Sequence, residues 1–185
     1  MRSHMKRFIA PLRILLCLWC ILWVPALVHA QTPPSEEQVR ASYVASFGSY
    51  VEWPSNAFAD SDAPFLIGVM DDEPMLRILE AGFRSRKLQG RNVQVRRIDN
   101  ILQAANVHLL YVREGNSVPL RSLSALPVLT IGTGTSFLDR GGTIALVMQK
   151  ERLRFEFNAR SAERSGLKVS AKLQQLAINT YEGGS

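Results

Sequence analysis

The sequence predicts an α/β fold: a three-layer sandwich, with a mainly parallel sheet, helices on both faces and a C-terminal antiparallel hairpin. Three observations predict it. Apolar runs of strand length recur at 64–70, 107–112, 127–131 and 143–149, the pattern of strands covered on both faces. Short helix-patterned segments separate the first of these runs, as right-handed crossovers between parallel strands require. The run at 143–149 is followed at once by an alternating run at 152–158. The two to four residues around Lys150 and Glu151 leave room for a hairpin and none for a crossover.

Taken in order, the chain starts with an export pattern. Arg2, Lys6, Arg7 and Arg13 make a basic start, 14–24 is apolar, and Val28-His29-Ala30 places small residues where a signal peptidase needs them. The expectation is a signal peptide over 1–30, cleaved after Ala30. The competing reading, an uncleaved anchor, needs roughly 20 apolar residues, and this run is shorter. Trp19 before Cys20 argues against a lipoprotein. Residues 31–34 read as a polar linker and 35–185 as one domain, which is long enough for a core of its own.

Ser35-Glu36-Glu37-Gln38 is a capping box with acidic residues at the positive end of the helix dipole. The expected helix carries Val39, Tyr43, Val44, Phe47, Tyr50 and Val51 on one face and ends at Trp53-Pro54. After the strand at 64–70, Asp71-Asp72-Glu73-Pro74 suits a helix start, and Leu76, Leu79 and Phe83 form its apolar stripe. Residues 87–91 read as a turn and Val93 and Val95 as the start of the next strand. Asp99 is the expected cap of a short helix through Ala105. A further helix is expected at 117–123. Gly141-Gly142 turns the chain into the hairpin. There Leu153, Phe155 and Phe157 point one way and Arg152, Arg154, Glu156 and Asn158 the other. Asn158 and Ser170 are expected caps of two last helices, the first ending at Gly166, the second with Leu173, Leu176 and Ala177 on its apolar side. No internal repeat or low-complexity tract interrupts this order.

Charge and cysteine content narrow the function classes. The 185-residue chain has 22 basic and 16 acidic residues, formally +6. The leader carries four of those 22 and no acid, so the remainder has 18 against 16, a net charge of only +2. That balance removes most of the support for nucleic-acid binding. Both cysteines, Cys17 and Cys20, lie in the leader. An exported product would have no disulfide, thiol chemistry or thiolate metal site.

Each candidate site has a plainer reading beside it. Tyr43, Phe47, Tyr50 and Trp53 form an aromatic stripe that either docks a partner or packs on a sheet. Packing is the more ordinary outcome, with Trp53 at the helix exit the exception. Arg84, Arg86, Lys87, Arg91, Arg96 and Arg97 form a basic run that faces an anionic partner or is a solvated rim. Asp71, Asp72 and Glu73 resemble a hard-cation cluster, but three acids before a proline more often cap a helix. Gly132-Thr133-Gly134-Thr135-Ser136 offers amides and hydroxyls to an anion at the sheet's carboxyl edge, or is a plain turn; the full glycine fingerprint is missing. Asp71, Thr133 and Thr135 would border a small-ligand crevice there. His108, the one histidine beyond the leader, falls in an apolar run and reads as a buried structural residue. With no second histidine, no cysteine and no serine in a nucleophile elbow, the expectation is a binding protein without cofactor or metal, not an enzyme. Turnover abolished by Asp71→Ala or Ser136→Ala would contradict it.

The ordered motifs resemble the YfiR family of small periplasmic proteins over nearly the whole chain beyond the leader, from about Val39 to Ala177. Phe47, Tyr50, Val51, Glu52, Trp53 and Pro54 match its F-x-x-(F/Y)-V-E-W-P block. Ile67-Gly68-Val69 matches its I-G-V strand, and Gly90, Arg91 and Val93 match G-R-x-V. Val107-His108-Leu109-Leu110 stands where the family has C-H-(I/V)-L, and Pro127-Val128-Leu129-Thr130 matches P-V-L-T. The terminal block is Arg154, Phe155, Glu156, Asn158, Gly166, Leu167, Ser170, Lys172, Leu173, Leu176 and Ala177. The resemblance implies a periplasmic regulator that docks on the periplasmic domain of an inner-membrane diguanylate cyclase and represses it. It also implies release in some systems by an outer-membrane lipoprotein, control of cyclic di-GMP and biofilm matrix, and a homodimer. The contact residues expected on this chain are Phe47, Tyr50, Trp53, Arg96 and Arg97. The alternative is a periplasmic small-molecule sensor or an accessory protein for a sensor kinase. Two departures stand out: Val107 replaces the family cysteine, and the loop 132–136 differs from the family's Ser-Asp turn.

Overall fold

The computed structural model describes residues 33–181. The expected signal peptide, its cleavage after Ala30, both cysteines, and Gln31 and Thr32 of the expected linker lie outside the described residues.

Helix α1 (Glu36–Phe47) begins where the capping box puts it. The Ser35 hydroxyl accepts from Gln38 N–H, and the Gln38 side chain accepts from Ser35 N–H. Replacing Ser35 by alanine is expected to cost about 1 kcal/mol, read as a lower denaturant midpoint at unchanged slope. The helix stops earlier than the sequence suggests. After Phe47 the chain tightens into a 3-10 turn, Gly48–Tyr50, and Val51–Glu52 is already strand β1. A Cβ at Gly48 would sit 2.7 Å from a methyl of Leu88, so only glycine lets the chain pass here undisturbed.

Strand β2 (Phe65–Met70) leads to helix α2 (Glu73–Phe83), whose cap is Asp72. Strands β3 (Lys87–Leu88) and β4 (Arg91–Arg97) form a tight antiparallel pair. A short α3 (Ile101–Ala104) follows. Its cap is Asn100, which accepts from Leu102 and Gln103, and not Asp99 as the sequence suggests. Strand β5 (Leu109–Val112) comes next. The helix expected at 117–123 is reduced to the 3-10 turn Leu120–Leu123, because Val118, the residue before Pro119, is disfavoured in the α region. Strand β6 (Leu129–Thr133), helix α4 (Ser136–Asp139), and the hairpin β7 (Ile144–Gln149) with β8 (Arg152–Asn158) complete the centre. Asn158 and Ser170 cap α5 (Ala159–Arg164) and α6 (Ala171–Leu176). Between these two helices lies β9 (Lys168–Val169), and β10 (Asn179–Tyr181) ends the described chain.

Eight strands form one sheet in the order β10-β8-β7-β6-β5-β2-β4-β3. The five central strands, β4-β2-β5-β6-β7, are parallel. The hairpin is antiparallel, as its sequence requires, with Leu146 opposite Phe155 and Ile144 opposite Phe157. It is not the sheet edge, however: β10 pairs in parallel with the outer side of β8. Its alternation also weakens at the end, where Asn158 is buried to cap α5. The upper half of β7 is exposed and not covered on both faces, with Met148 in solvent.

The two sheet faces carry two cores. One joins Ile67, Val69, Leu109, Tyr111, Ile131 and Phe155 to α1 and α2 through Val44, Phe47, Leu79 and Phe83. The other joins Leu110, Val112, Val128 and Ala145 to Ile98, Leu123 and Phe137. Leu173 is buried in the first core, while Leu176, expected beside it, is exposed because α6 presents a single residue inward.

Candidate functional site

A second, two-stranded sheet stands apart from the large one. Strand β1 pairs antiparallel with β9, setting Val51 opposite Val169 and Glu52 opposite Lys168. Ser170 N–H donates to Tyr50 carbonyl at 2.9 Å and extends the ribbon by one bond. The Gln89 amide donates to the carbonyls of Gly48 at 2.8 Å and Val51 at 2.5 Å, pinning the start of β1 from a third segment. A hollow of about 760 Å³ opens here, lined by Tyr50, Glu52, Trp53, Gln89 and Lys168 among others. Two half-buried aromatics give it an apolar floor. The Trp53 ring meets Phe65 edge-on at 5.0 Å, and its indole N–H donates to the Pro127 carbonyl at 2.9 Å. The Lys172 ammonium lies 5.9 Å from the centre of the Tyr50 ring. Aromatic anchors ringed by polar groups of both signs are the composition of a docking surface.

The five expected contact residues do not form one patch. Phe47 is 3% exposed and packs edge-on against Phe155 at 5.0 Å, so it belongs to the core and offers no contact surface. Tyr50 and Trp53 line the hollow. Arg96 and Arg97 sit opposite Gly68 and Val69, toward the carboxyl end of β2, whereas Trp53 packs on Phe65 at its start. Arg97 is paired with Glu73, and Arg96 donates to Gln94. Of the other basic residues, Arg91 is also occupied: one of its nitrogens donates to the carbonyls of Asp60, Ser61 and Ala63. The β1–β9 ribbon escaped sequence reasoning; the V-E-W block and the Lys-Val pair after Gly166 were its only local trace.

Of the expected crevice residues, Thr133 alone lines a cavity at the sheet's carboxyl edge. Asp71 is exposed in a left-handed turn, φ 58°, and its carboxylate accepts from Asn116. Thr135 is exposed, and Ser136 opens α4 rather than continuing a loop. Asp72, in the acidic cluster, spends one oxygen on capping α2 at Met75 N–H, 3.0 Å away. Among the described residues no group of three or more histidine, cysteine or acidic side chains is arranged to hold a metal ion.

His108 is structural in its contacts. Nδ1 accepts from Leu66 N–H at 2.9 Å, which leaves the proton on Nε2 to be donated to the Ala57 carbonyl at 2.9 Å. The ring stacks on Phe58 at 4.2 Å, and the Arg91 guanidinium covers the same Phe58 at 3.9 Å. Burial, aided by the Arg91 charge, lowers the His108 pKa; the bond to Ala57 opposes the shift. Unfolded chains take up the imidazole proton as the pH falls through about 6.5, while the folded chain resists. Below that pH the unfolded state therefore binds more protons, and stability falls until the folded histidine also titrates. Denaturant unfolding at pH 7.5 and pH 5 is expected to show this loss, and His108→Gln is expected to shrink it.

Among the described residues no helix is long and apolar enough to cross a membrane. The fold resembles the crystal structure of a conserved domain protein from Vibrio cholerae O1 biovar eltor str. N16961, at 12% identity and a TM-score of 0.50. The match covers 80% of this chain and 61% of that one, so this chain spans about three fifths of that protein's length. No curated protein matches it in sequence. The sequence profile of the YfiR/HmsC-like (DUF4154) family matches residues 37–178, which include all of α1 but Glu36, every strand up to β9, and α6. On that match the chain belongs to the YfiR/HmsC-like family.

Proposed function

We propose that this protein is a periplasmic regulator that represses a membrane-bound diguanylate cyclase by docking on its periplasmic domain. One observation carries the docking site. Tyr50 and Trp53, from the aromatic block shared with the family, stand half-buried around a broad hollow built by a ribbon outside the main sheet. The reading assigns no bond-making step to the chain, since both nitrogens of its only histidine beyond residue 30 are engaged by backbone. An outer-membrane lipoprotein competing for the same hollow would relieve repression, and cyclic di-GMP and biofilm matrix would rise. A homodimer is part of the proposal, with its interface away from the hollow.

Deleting the gene is expected to raise cellular cyclic di-GMP. A photo-crosslinker at Tyr50 is expected to capture an inner-membrane protein with a cyclase domain. An unchanged cyclic di-GMP level, with no membrane protein captured, would refute repression by docking. Capture of a sensor kinase would favour the accessory-protein reading instead.

A further inference from the structure

The parallel strands run β4-β2-β5-β6-β7: the chain passes from β2 to β4 on one side, then returns across β2 to β5 on the other, so the winding reverses between β2 and β5. Such a reversal opens a crevice beyond the carboxyl ends of the strands, the usual ligand position in open α/β sheets. Here it is a cavity of about 340 Å³ between the ends of β2, β5 and β6 and the first turns of α1 and α2. Its lining is polar and carries both signs: Arg40 and Arg113 against Glu37, Asp72 and Glu114. Among the described residues only Arg40 of these five is in a salt bridge, and its partner Glu36 is outside the lining. Arg40 Nε, the Tyr111 hydroxyl and the Thr133 hydroxyl, all from lining residues, are buried without a hydrogen-bond partner. Buried polar atoms are nearly always satisfied, and three exceptions around one cavity call for a common partner. Burial pushes the Tyr111 pKa up to about 12; the Arg40 guanidinium stands close enough to the phenol oxygen to oppose the shift but short of a well-formed hydrogen bond, and the phenol keeps its proton to donate.

We propose that this crevice binds a small zwitterion, its carboxylate taken by Arg40, Arg113 and the Tyr111 and Thr133 hydroxyls, and its ammonium by the Asp72 and Glu114 carboxylates. Three acids against two cations give the crevice a formal charge of −1, which disfavours polyanions such as inorganic phosphate and nucleotides. A lone carboxylate would leave the acids unmatched, and a lone amine would leave the donors unmatched. The site is separate from the Tyr50–Trp53 hollow, so its occupancy is tested on the isolated protein without any partner.

The test is calorimetric titration and thermal shift of the purified chain with glycine, β-alanine and γ-aminobutyrate, against acetate, methylamine and phosphate. At least one zwitterion is expected to bind and raise the melting temperature, while the other three compounds do neither. Arg40→Gln is expected to weaken binding about tenfold or more, the loss of one charge-assisted bond. Asp72→Asn keeps an acceptor for the α2 cap while removing the charge, and is expected to weaken binding without loss of folding. No binding by any of the three zwitterions, equal binding by acetate, or binding unchanged in both variants would each overturn the proposal. Retained repression of the cyclase alongside any of these failures would leave the docking reading standing by itself.

Discussion

Replacing Gly142 by alanine is expected to destabilise the fold by about 3 kcal/mol, near the upper end of overpacking effects. The reason is a ring held between two glycines. A Cβ at Gly142 would stand 2.2 Å from two carbons of the Phe137 ring and 2.8 Å from the Phe137 carbonyl. On the other side, a Cβ at Gly132 would stand 2.3 Å from the same ring. Phe137 is 1% exposed and packs in the core beneath β6 and β7. The ring has no free side to move into, and the backbone carbonyl cannot swing aside, because Gly142 N–H donates to it at 3.0 Å. The expected fall in melting temperature is roughly 6–12 °C for a chain of this size. Shrinking the ring with Phe137→Leu makes its own cavity, but in the double variant the added methyl has somewhere to go. The two changes are therefore expected to cost less together than the sum of each alone. A Gly142→Ala protein that melts within a degree of the parent would show that the turn yields easily, contrary to this packing.

If the proposed docking holds, Trp53→Ala is expected to weaken binding to the cyclase's periplasmic domain about 30-fold, the consequence of losing roughly 2 kcal/mol at an aromatic anchor. Trp53 also supports the fold through Phe65 and the Pro127 carbonyl, so the variant will lose some stability as well. Two exposed or half-exposed changes on the same hollow separate the effects. Lys168→Glu changes an exposed residue and Tyr50→Ala removes a half-buried ring from the margin of the core, and each is expected to lower affinity and raise cyclic di-GMP while the melting temperature stays within a few degrees. Arg96→Ala, on β4 and outside the hollow, is expected to change binding by less than about threefold. Binding measured by surface plasmon resonance on the purified domains decides between them. An affinity insensitive to Tyr50 and Lys168 but lost with Arg96 would move the docking face to the other end of the sheet.

Much of the candidate docking site was visible in the sequence as residues, but not as a surface. The aromatic block at 47–53 could be singled out because aromatics at helical spacing are conspicuous. Its expected geometry was a single helical face, and that is where the reading failed. The 3-10 turn at Gly48–Tyr50 rotates Tyr50 and Trp53 away from Phe47, so one residue joins the core and two line the hollow. A cavity does lie at the carboxyl edge of the sheet, yet only Thr133 of the three residues expected there lines it. The others that line it come from α1, β2's exit and β5, and no local pattern ties Arg40 to Tyr111.

Sequence alone determined the main strand runs, the hairpin and three of the helix caps: Ser35, Asn158 and Ser170. Each is decided by residues within one turn or one strand of each other, where side-chain alternation and unpaired amides act locally. It also determined the charge balance, and that both cysteines and two of the three histidines fall within residues 1–30. Tertiary structure decided which strand is the edge, that Val51 finds Val169, and that Arg40, Tyr111 and Thr133 share one cavity. Those pairings join segments far apart in the chain, and they follow from how whole layers bury their apolar faces against each other, which no short stretch of residues encodes.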